Sequence, residues 1–467
     1  MKNRIVISLL AGTLALGACN LDETPYGFYS EDNFFKTAAD AEAAVMYAYG
    51  TLNYLEYSRT IFFLGDMASE TMTTKSDASA DNQDLNNWKV GNFKTNGSLE
   101  NFFSQEQKDL FLGEAYFLRA WNYFNLVRNF GLVPLHKSVV ETVDQTSTAL
   151  APDMDAMYDL ILSDCRRAAE LLPVYETPKI GRADRVAAQA LAAKAYLYVA
   201  SAKEHGVKLY RDMHRDATVM YDSAAYFAGE VIEKQSVYGF ENSLLDIYDV
   251  EKARGKEHIF IMAMDRSGSS EGQYSKISKM FIPYIDGATL YLKQGDKDEY
   301  IPTHDGWGEY QTTVAFYNTF DASDKRKTEL IVDKVYKADG TLLGEYPGKI
   351  PYPFCRKYID PKFEGDKTST RPFLLRFSDV ALIYAEAAGP TAKAYELVNF
   401  IRSRAGLGDM KPNLGKDEFR REILKERTFE LAFEGDHVYD LRRWNRITTD
   451  VPEAAGLSED QVTFYPI

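Results

Sequence analysis

Three kinds of side chain in this sequence are spaced as if for chemistry: a serine framed by glycines, glutamates at helical spacing, and aromatic rings in glycine-rich stretches. Gly268-Ser269-Ser270-Glu271-Gly272 fits the G-x-S-x-G pattern of a nucleophile elbow, which needs a strand before it and a helix behind it to present the hydroxyl to an oxyanion hole. The apolar stretch 259–264 supplies a strand, but Gln273-Tyr274-Ser275-Lys276 opens no helix, so the serine reads as part of a Ser/Gly loop. Glu426, Glu430 and Glu434 recur every four residues, which stacks three carboxylates on one helical face. Paired acids serve glycoside hydrolysis or cation binding. Arg402, Arg404, Arg427, Arg442 and Arg443 on adjoining elements argue instead for neutralisation, so these residues and Glu386 are expected to form a structural ion-pair network. With 6 His and no H-E-x-x-H, metal chemistry has little to work with. Asp77-Ala78-Ser79-Ala80-Asp81-Asn82 starts like an EF-hand loop but lacks the Gly at its sixth place and the closing Glu. No catalytic residue, metal site or cofactor is expected.

Recognition by rings is the stronger theme. The chain holds 31 Tyr and 27 Phe against 4 Trp, and tyrosine offers a flat apolar face while its hydroxyl stays wet. A sugar site needs such faces beside amide, carboxylate and guanidinium groups that bond hydroxyls. Trp307 lies in His304-Asp305-Gly306-Trp307-Gly308-Glu309-Tyr310, where the flanking glycines are expected to leave its ring open, and Tyr291, Tyr300 and Tyr310 are near in sequence. Trp88 follows Asn86 and Asn87. The ligand-binding candidates are therefore Trp307, Tyr310, Tyr300, Tyr291, Trp88 and Asn87. Trp121 and Trp444 fall in helical text, where core packing is expected.

The elements that must position these residues are mostly helices. Apolar residues recur at helical spacing over 38–52, 107–127, 154–172, 187–202, 217–232, 382–388, 391–405 and 416–433. Ala115, Ala120, Ala188, Ala192, Ala195, Ala385 and Ala388 place small side chains among large ones, as close-packed helical hairpins require. The expected fold is mainly α, a tetratricopeptide-like frame of helical hairpins. Between 240 and 371 the pattern breaks into short apolar runs such as 259–264 and 330–336, divided by Gly, Asp, Ser and Pro. This loop-rich middle section with a few short strands is where binding groups are expected.

Charge and the N-terminus set the compartment. Lys plus Arg is 54 and Asp plus Glu 69, a net charge of −15 that is unsuited to gripping a phosphate backbone, so nucleic acid is not an expected partner. Lys2 and Arg4 precede the apolar run 5–16, too short to span a bilayer and the right length for a signal-peptide core. It ends in Leu16-Gly17-Ala18-Cys19, which resembles a bacterial lipobox whose Cys19 thiol is lipidated and becomes the first mature residue. The alternative is an ordinary secretory signal with an incidental Cys. Lipidation leaves Cys165 and Cys355, too few for a disulfide framework, with a single bridge between them left open. The chain divides as 1–18 signal peptide, 19–37 tether, 38–239 N-terminal helical part and 240–467 C-terminal part, the last two one compact unit.

Five stretches carry a family resemblance. Cys19-Asn20-Leu21-Asp22, the segment 113–135 reading GEAYFLRAWNYFNLVRNFGLVPL, 375–387 reading LRFSDVALIYAEA, 401–407 reading IRSRAGL and 426–444 reading ERTFELAFEGDHVYDLRRW are similar to the SusD/RagB family. The resemblance implies a surface-exposed outer-membrane lipoprotein of Bacteroidetes that captures glycans or peptides, is not an enzyme, and sits as a lid on a SusC-type TonB-dependent transporter. Two departures stand out. Residues 91–98 are turn-like where the family has a helix, and the chain stops at Ile467 where relatives continue into a tail. A peptide-binding member, or a transporter-associated helical scaffold without a ligand site, are the alternatives to a glycan binder.

Overall fold

The computed structural model describes residues 38–53, 61–62, 65–67, 69–78, 82–83, 86, 109–138, 145, 149–177, 179–270, 272–295 and 297–465; Cys19, Asn87, Trp88 and the stretch 91–98 lie outside them. The frame is helical: α1 (Ala38–Thr51), α2 (Asp109–Phe130), α3 (Met154–Leu171), α4 (Arg185–Glu204) and α5 (Ala217–Glu233) precede the middle section. After it come α7 (Phe377–Ala388), α8 (Ala392–Arg404), α9 (Lys416–Glu430) and α10 (His437–Arg443); the short α6 (Ile277–Phe281) lies between. Helix α4 explains why these elements pack as hairpins. Its Ala187, Ala188, Ala190, Ala192, Ala193, Ala195, Ala200 and Ala202 are fully buried, so α3 and α5 both approach its backbone closely. Each of these three helices starts on an aspartate that accepts a backbone N–H three residues on: Asp153 from Ala156, Asp184 from Ala187 and Asp216 from Val219. Such a cap contributes about 1 kcal/mol. Helix α7 then packs on α4, α5, α8 and α9, which gives the mainly α, tetratricopeptide-like frame. Residues 45–467 form a single compact unit.

Two helix boundaries in the C-terminal part depart from the apolar pattern by three residues or more, one for an electrostatic reason and one for a backbone reason. Helix α7 begins five residues before 382, directly after strand β10 (Phe373–Arg376), because Ser378 and Asp379 in its first turn are polar yet buried against charged partners. Helix α9 ends at Glu430 rather than 433: Phe433 and Gly435 take positive φ of 64° and 82°, turning the chain back on itself. Glu434 therefore lies beyond the helix that carries Glu426 and Glu430.

The middle section is built of short antiparallel strands. Strand β2 (His258–Ile261) pairs with β10, and β6 (Ile331–Val332) pairs with β9 (Phe354–Cys355). Strands β3 (Leu290–Lys293), β4 (Tyr300–Thr303), β7 (Lys334–Tyr336) and β8 (Leu342–Glu345) form a four-stranded sheet in the order β4-β3-β7-β8. Its inner face, including Leu290, Leu292 and Val335, packs on Ile282, Ile285, Ile350 and Phe354. The apolar run 330–336 is thus not one strand. Leu330 closes a helical turn, and Asp333 divides β6 from β7. A fourth pairing joins remote chain: β1 (Met72–Thr74) lies antiparallel to β5 (Tyr310–Thr312). Cys165 and Cys355 are separate buried thiols, and burial pushes the Cys355 thiol up to about 12. Among the described residues no helix is long and apolar enough to cross a membrane.

Candidate functional site

The loop between β4 and β5 is fixed by its backbone. Trp307 N–H donates to Lys279 O at 2.7 Å, Gly308 N–H to the same carbonyl at 3.3 Å, and Gly306 N–H to Pro283 O at 3.1 Å. The loop therefore rides on the C-terminal end of α6 and the turn after it. The glycines beside Trp307 serve this approach rather than opening its ring. A Cβ on Gly306 would collide with the Ile282 carbonyl, and Gly308, at φ +63°, abuts the Tyr352 hydroxyl. His304 anchors the loop's start: Nδ1–H donates to Asp305 O at 2.8 Å while Nε2 accepts from the Ser278 hydroxyl at 3.0 Å. Burial holds this imidazole below its usual range, which keeps it neutral as that pattern requires.

Trp307 itself is half-buried against the main core, with the Lys279 ammonium 5.7 Å from its ring centroid and Lys279 also paired to Asp366. Glu309, two residues on, accepts from Asn82 Nδ2 at 3.0 Å. The register Met72↔Thr312 and Thr74↔Tyr310, together with that bond, sets residues 72–74 and Asn82 alongside the Trp307 loop. Asn87 and Trp88 lie outside the described residues. Tyr284, one residue past the carbonyl that receives Gly306, is 68% exposed.

The other ring candidates go elsewhere. Tyr310 does not face solvent: its exposure is 0%, and its ring meets Phe281 edge-on at 5.4 Å, so it is core. Loop-like sequence misplaced it because β5 is paired to a strand 236 residues away. Tyr291 and Tyr300 sit on β3 and β4 of the four-stranded sheet, on the face opposite Leu290 and Leu292. They are near Trp307 in sequence but belong to the sheet's outer surface. Trp121 and Trp444 are buried.

The same segment 61–78 is tied to the C-terminal block. Asp66 is fully buried and accepts from Gly435 N–H at 2.6 Å and His437 N–H at 3.4 Å, while His437 Nε2 meets Glu70 at 2.6 Å. Burial pushes the Asp66 carboxyl up to about 7, partly opposed by those hydrogen bonds and by His437. Gly65 has no room for a side chain, because a Cβ would strike the Gly435 backbone.

The glutamates of the C-terminal block are enclosed by cations. Glu426 meets Arg326 at 2.6 Å and Arg402 at 3.0 Å. Glu430 meets Arg404 at 2.7 Å and Arg376 at 3.0 Å, and Glu434 meets Arg376 and Lys357, both at 2.6 Å. Glu257 and Asp324 complete the set, so five acids face five bases. Burial alone would raise the Glu430 carboxyl, but Arg404, Arg376 and Arg326 outweigh it and hold it at about 2. A general acid needs the opposite shift. Arg427 points away from these acids, to Asp379 at 2.8 Å and Asp440 at 2.7 Å, in a second cluster where Arg443 pairs with Asp440 and Glu386. Arg442 joins neither: it donates to the carbonyls of Val462 and Arg128 and lies 4.2 Å from the Tyr465 ring centroid. Arg326, Lys357 and Arg376 carry much of the network yet escaped sequence reasoning, since they come from three elements outside the glutamate helix.

The serine motif forms no elbow. Gln273 Oε1 accepts from Ser269 N–H and Ser270 N–H, folding an exposed turn, and the next helix starts only at Ile277.

Comparison with known proteins places this geometry in context. Residues 333–463 match a family model described as the SusD family, and residues 32–197 match one described as starch-binding associating with outer membrane. The chain is 26% identical to a SusD-like protein of Formosa agariphila over 95% of this chain and 90% of that one. In fold it is similar to a SusD homolog from Bacteroides thetaiotaomicron, with TM-score 0.73 and 19% identity over 94% of this chain and 96% of the other. It is also similar to a laminarin binding SusD-like protein, with TM-score 0.70 and 22% identity over 93% and 99%.

Proposed function

Because the chain belongs to the SusD/RagB family, we propose that it is a lipid-anchored, non-enzymatic glycan receptor of the outer membrane that captures oligosaccharide outside the cell and passes it to a SusC-type TonB-dependent transporter. The family description names starch binding and outer-membrane association, and one fold neighbour is a laminarin binder. The observation that carries the reading is the convergence at Trp307. Pairing of β1 with β5 and the Asn82 to Glu309 bond bring a second chain segment to a loop that bears a half-open indole, beside a turn that bears exposed Tyr284. Rings supply stacking, while the partly exposed Glu309, held by buried Asn82, and Lys279 supply directed hydrogen bonds to sugar hydroxyls. The non-enzymatic part is supported by the acids of the C-terminal block, which are enclosed by cations, with Glu430 held ionised.

Titration with laminarin oligosaccharides, followed by tryptophan fluorescence and calorimetry, tests the binding. Trp307→Ala is expected to weaken it about fivefold or more, of order 1 kcal/mol. Equal affinities would remove Trp307 from the site. A response to peptides and not to glycans would change the ligand class, and silence to both would leave a transporter-associated scaffold. The anchor has its own test: Cys19→Ala should release the protein from the membrane fraction. Continued membrane residence of the variant would overturn lipidation.

A further inference from the structure

The outer face of the four-stranded sheet gathers aromatic side chains that the Trp307 site does not use. On β3 and β4, Tyr291 stands opposite Pro302 and Lys293 opposite Tyr300; across the other edge of β3, Tyr291 stands opposite Tyr336. Side chains alternate along a strand, so the burial of Leu290, Leu292 and Val335 beneath the sheet puts Tyr291, Tyr300, Pro302 and Tyr336 together on top. Tyr336 in turn pairs with Leu342, which is 46% exposed. The rings are held in place. Those of Tyr300 and Tyr336 lie 5.0 Å apart at 58°, and the turn at Gly340, with φ +81°, fits against the Tyr300 ring so closely that a Cβ there would come within 2.9 Å of it. All three tyrosines stay half-exposed.

The charges around the face say what kind of partner suits it. Lys334 pairs across the strands with Glu345 at 3.7 Å, and Lys293 pairs with Asp298 at 3.3 Å. The two lysines that share the face with these rings are each matched by an acid, so they give it little pull on a phosphate-rich surface or an acidic polymer. Fixed tyrosine rings with wet hydroxyls, on a neutral sheet, match the alternating apolar faces and hydroxyl edges of an uncharged sugar chain.

We propose that this sheet face is a second carbohydrate contact, separate from the Trp307 loop, that holds a distant stretch of a neutral polysaccharide while the Trp307 site binds its own. It rests on the glycan reading above. A second weak contact on one long ligand raises retention without changing affinity for a short one.

The test uses the mature protein run through native gels containing laminarin, starch or xylan, with calorimetry on the matching short oligosaccharide. Tyr291→Ala/Tyr336→Ala should lower retention in the gel by about fivefold or more while leaving short-oligosaccharide affinity within about twofold of wild type. Tyr336→Phe keeps the ring and should keep retention. Leu342→Glu sets a charge beside Tyr336 from outside the core, and serves as an independent probe should the double variant fold poorly; it too should reduce retention. Retention of wild type by a polysaccharide, with the tyrosine and Leu342 variants unchanged, overturns this proposal alone. Retention of wild type by none of the three polysaccharides, with no short oligosaccharide bound either, overturns the glycan reading and this proposal together.

Discussion

The ion-pair cluster around Arg376 and the loop around Trp307 both collect charged and aromatic groups from distant parts of the chain, yet they treat them oppositely. Around Arg376 every carboxylate is enclosed and answered: Glu257, Glu430 and Glu434 converge on one guanidinium that is 1% exposed. Around Trp307 the side chains of Asp305, Glu309 and Lys279 are only partly covered, and Tyr284 stands open beside them. A satisfied, buried network fixes a geometry and has nothing left to offer a ligand. A half-covered ring beside partly exposed polar groups retains surface to give. Charge density alone does not mark a site; what matters is whether the charges are already spoken for.

Breaking the enclosed side of this contrast should have the largest effect. Arg376→Met leaves three buried carboxylates short of their shared cation and is expected to cost about 3–5 kcal/mol, read as a fall in unfolding midpoint. A loss below about 1 kcal/mol would mean that the cluster relaxes or hydrates freely.

Acid titration separates two buried carboxylates, Glu430 of the C-terminal block and Asp66, which is bonded to that block from the N-terminal part. Glu430 sits at about 2 when folded against 4.5 as a free group, so its stabilisation is present above 4.5 and lost as pH falls toward 2. Asp66 sits at about 7 against 3.8, so its contribution is complete below 3.8 and lost as pH rises toward 7. Glu430→Gln should therefore destabilise the protein at pH 7, with the gap closing in acid. Asp66→Asn, which keeps an acceptor for Gly435 N–H, should be at least as stable as wild type at pH 8. Melting temperatures across pH 3–8 check both signs, and parallel curves for the two variants would refute the contrast.

The smallest effect sharpens the open side. Tyr284→Ala removes an exposed ring, so stability should stay within about 0.5 kcal/mol. Oligosaccharide affinity should nonetheless fall about fivefold, as for a single stacking ring. An unchanged affinity would restrict the site to Trp307 and the segment beside Asn82.

Tyr284 and Tyr310 show where sequence reading reached its limit. Tyr310, in a stretch rich in glycine and acids, looks open and is core; Tyr284, three residues past the end of α6, is not among the ring candidates and is exposed. Periodicity reports on the element a residue sits in, and it served well for α4, whose buried alanines follow one helix. It carries no information about pairing between β1 and β5, which decides the fate of Tyr310, nor about the start of α7, where buried Asp379 is polar but partnered. The arginines on adjoining elements point to neutralised acids, and Arg402 and Arg404 do pair with Glu426 and Glu430, but three more of the cations come from residues 326, 357 and 376, far from the block itself.

The contacts of segment 61–83 carry a consequence for how the molecule comes into being. Asp66 closes on Gly435 across 369 positions, and Asn82 closes on Glu309 across 227. A chain made from its N-terminus presents this segment long before its partners. Contacts so remote in sequence carry a large loop-closure cost and form slowly. The helical hairpins, whose partners are neighbours, are able to form as they emerge, while β1 and Asn82 must wait for β5 and Glu309, and Asp66 for the last-made block around Gly435.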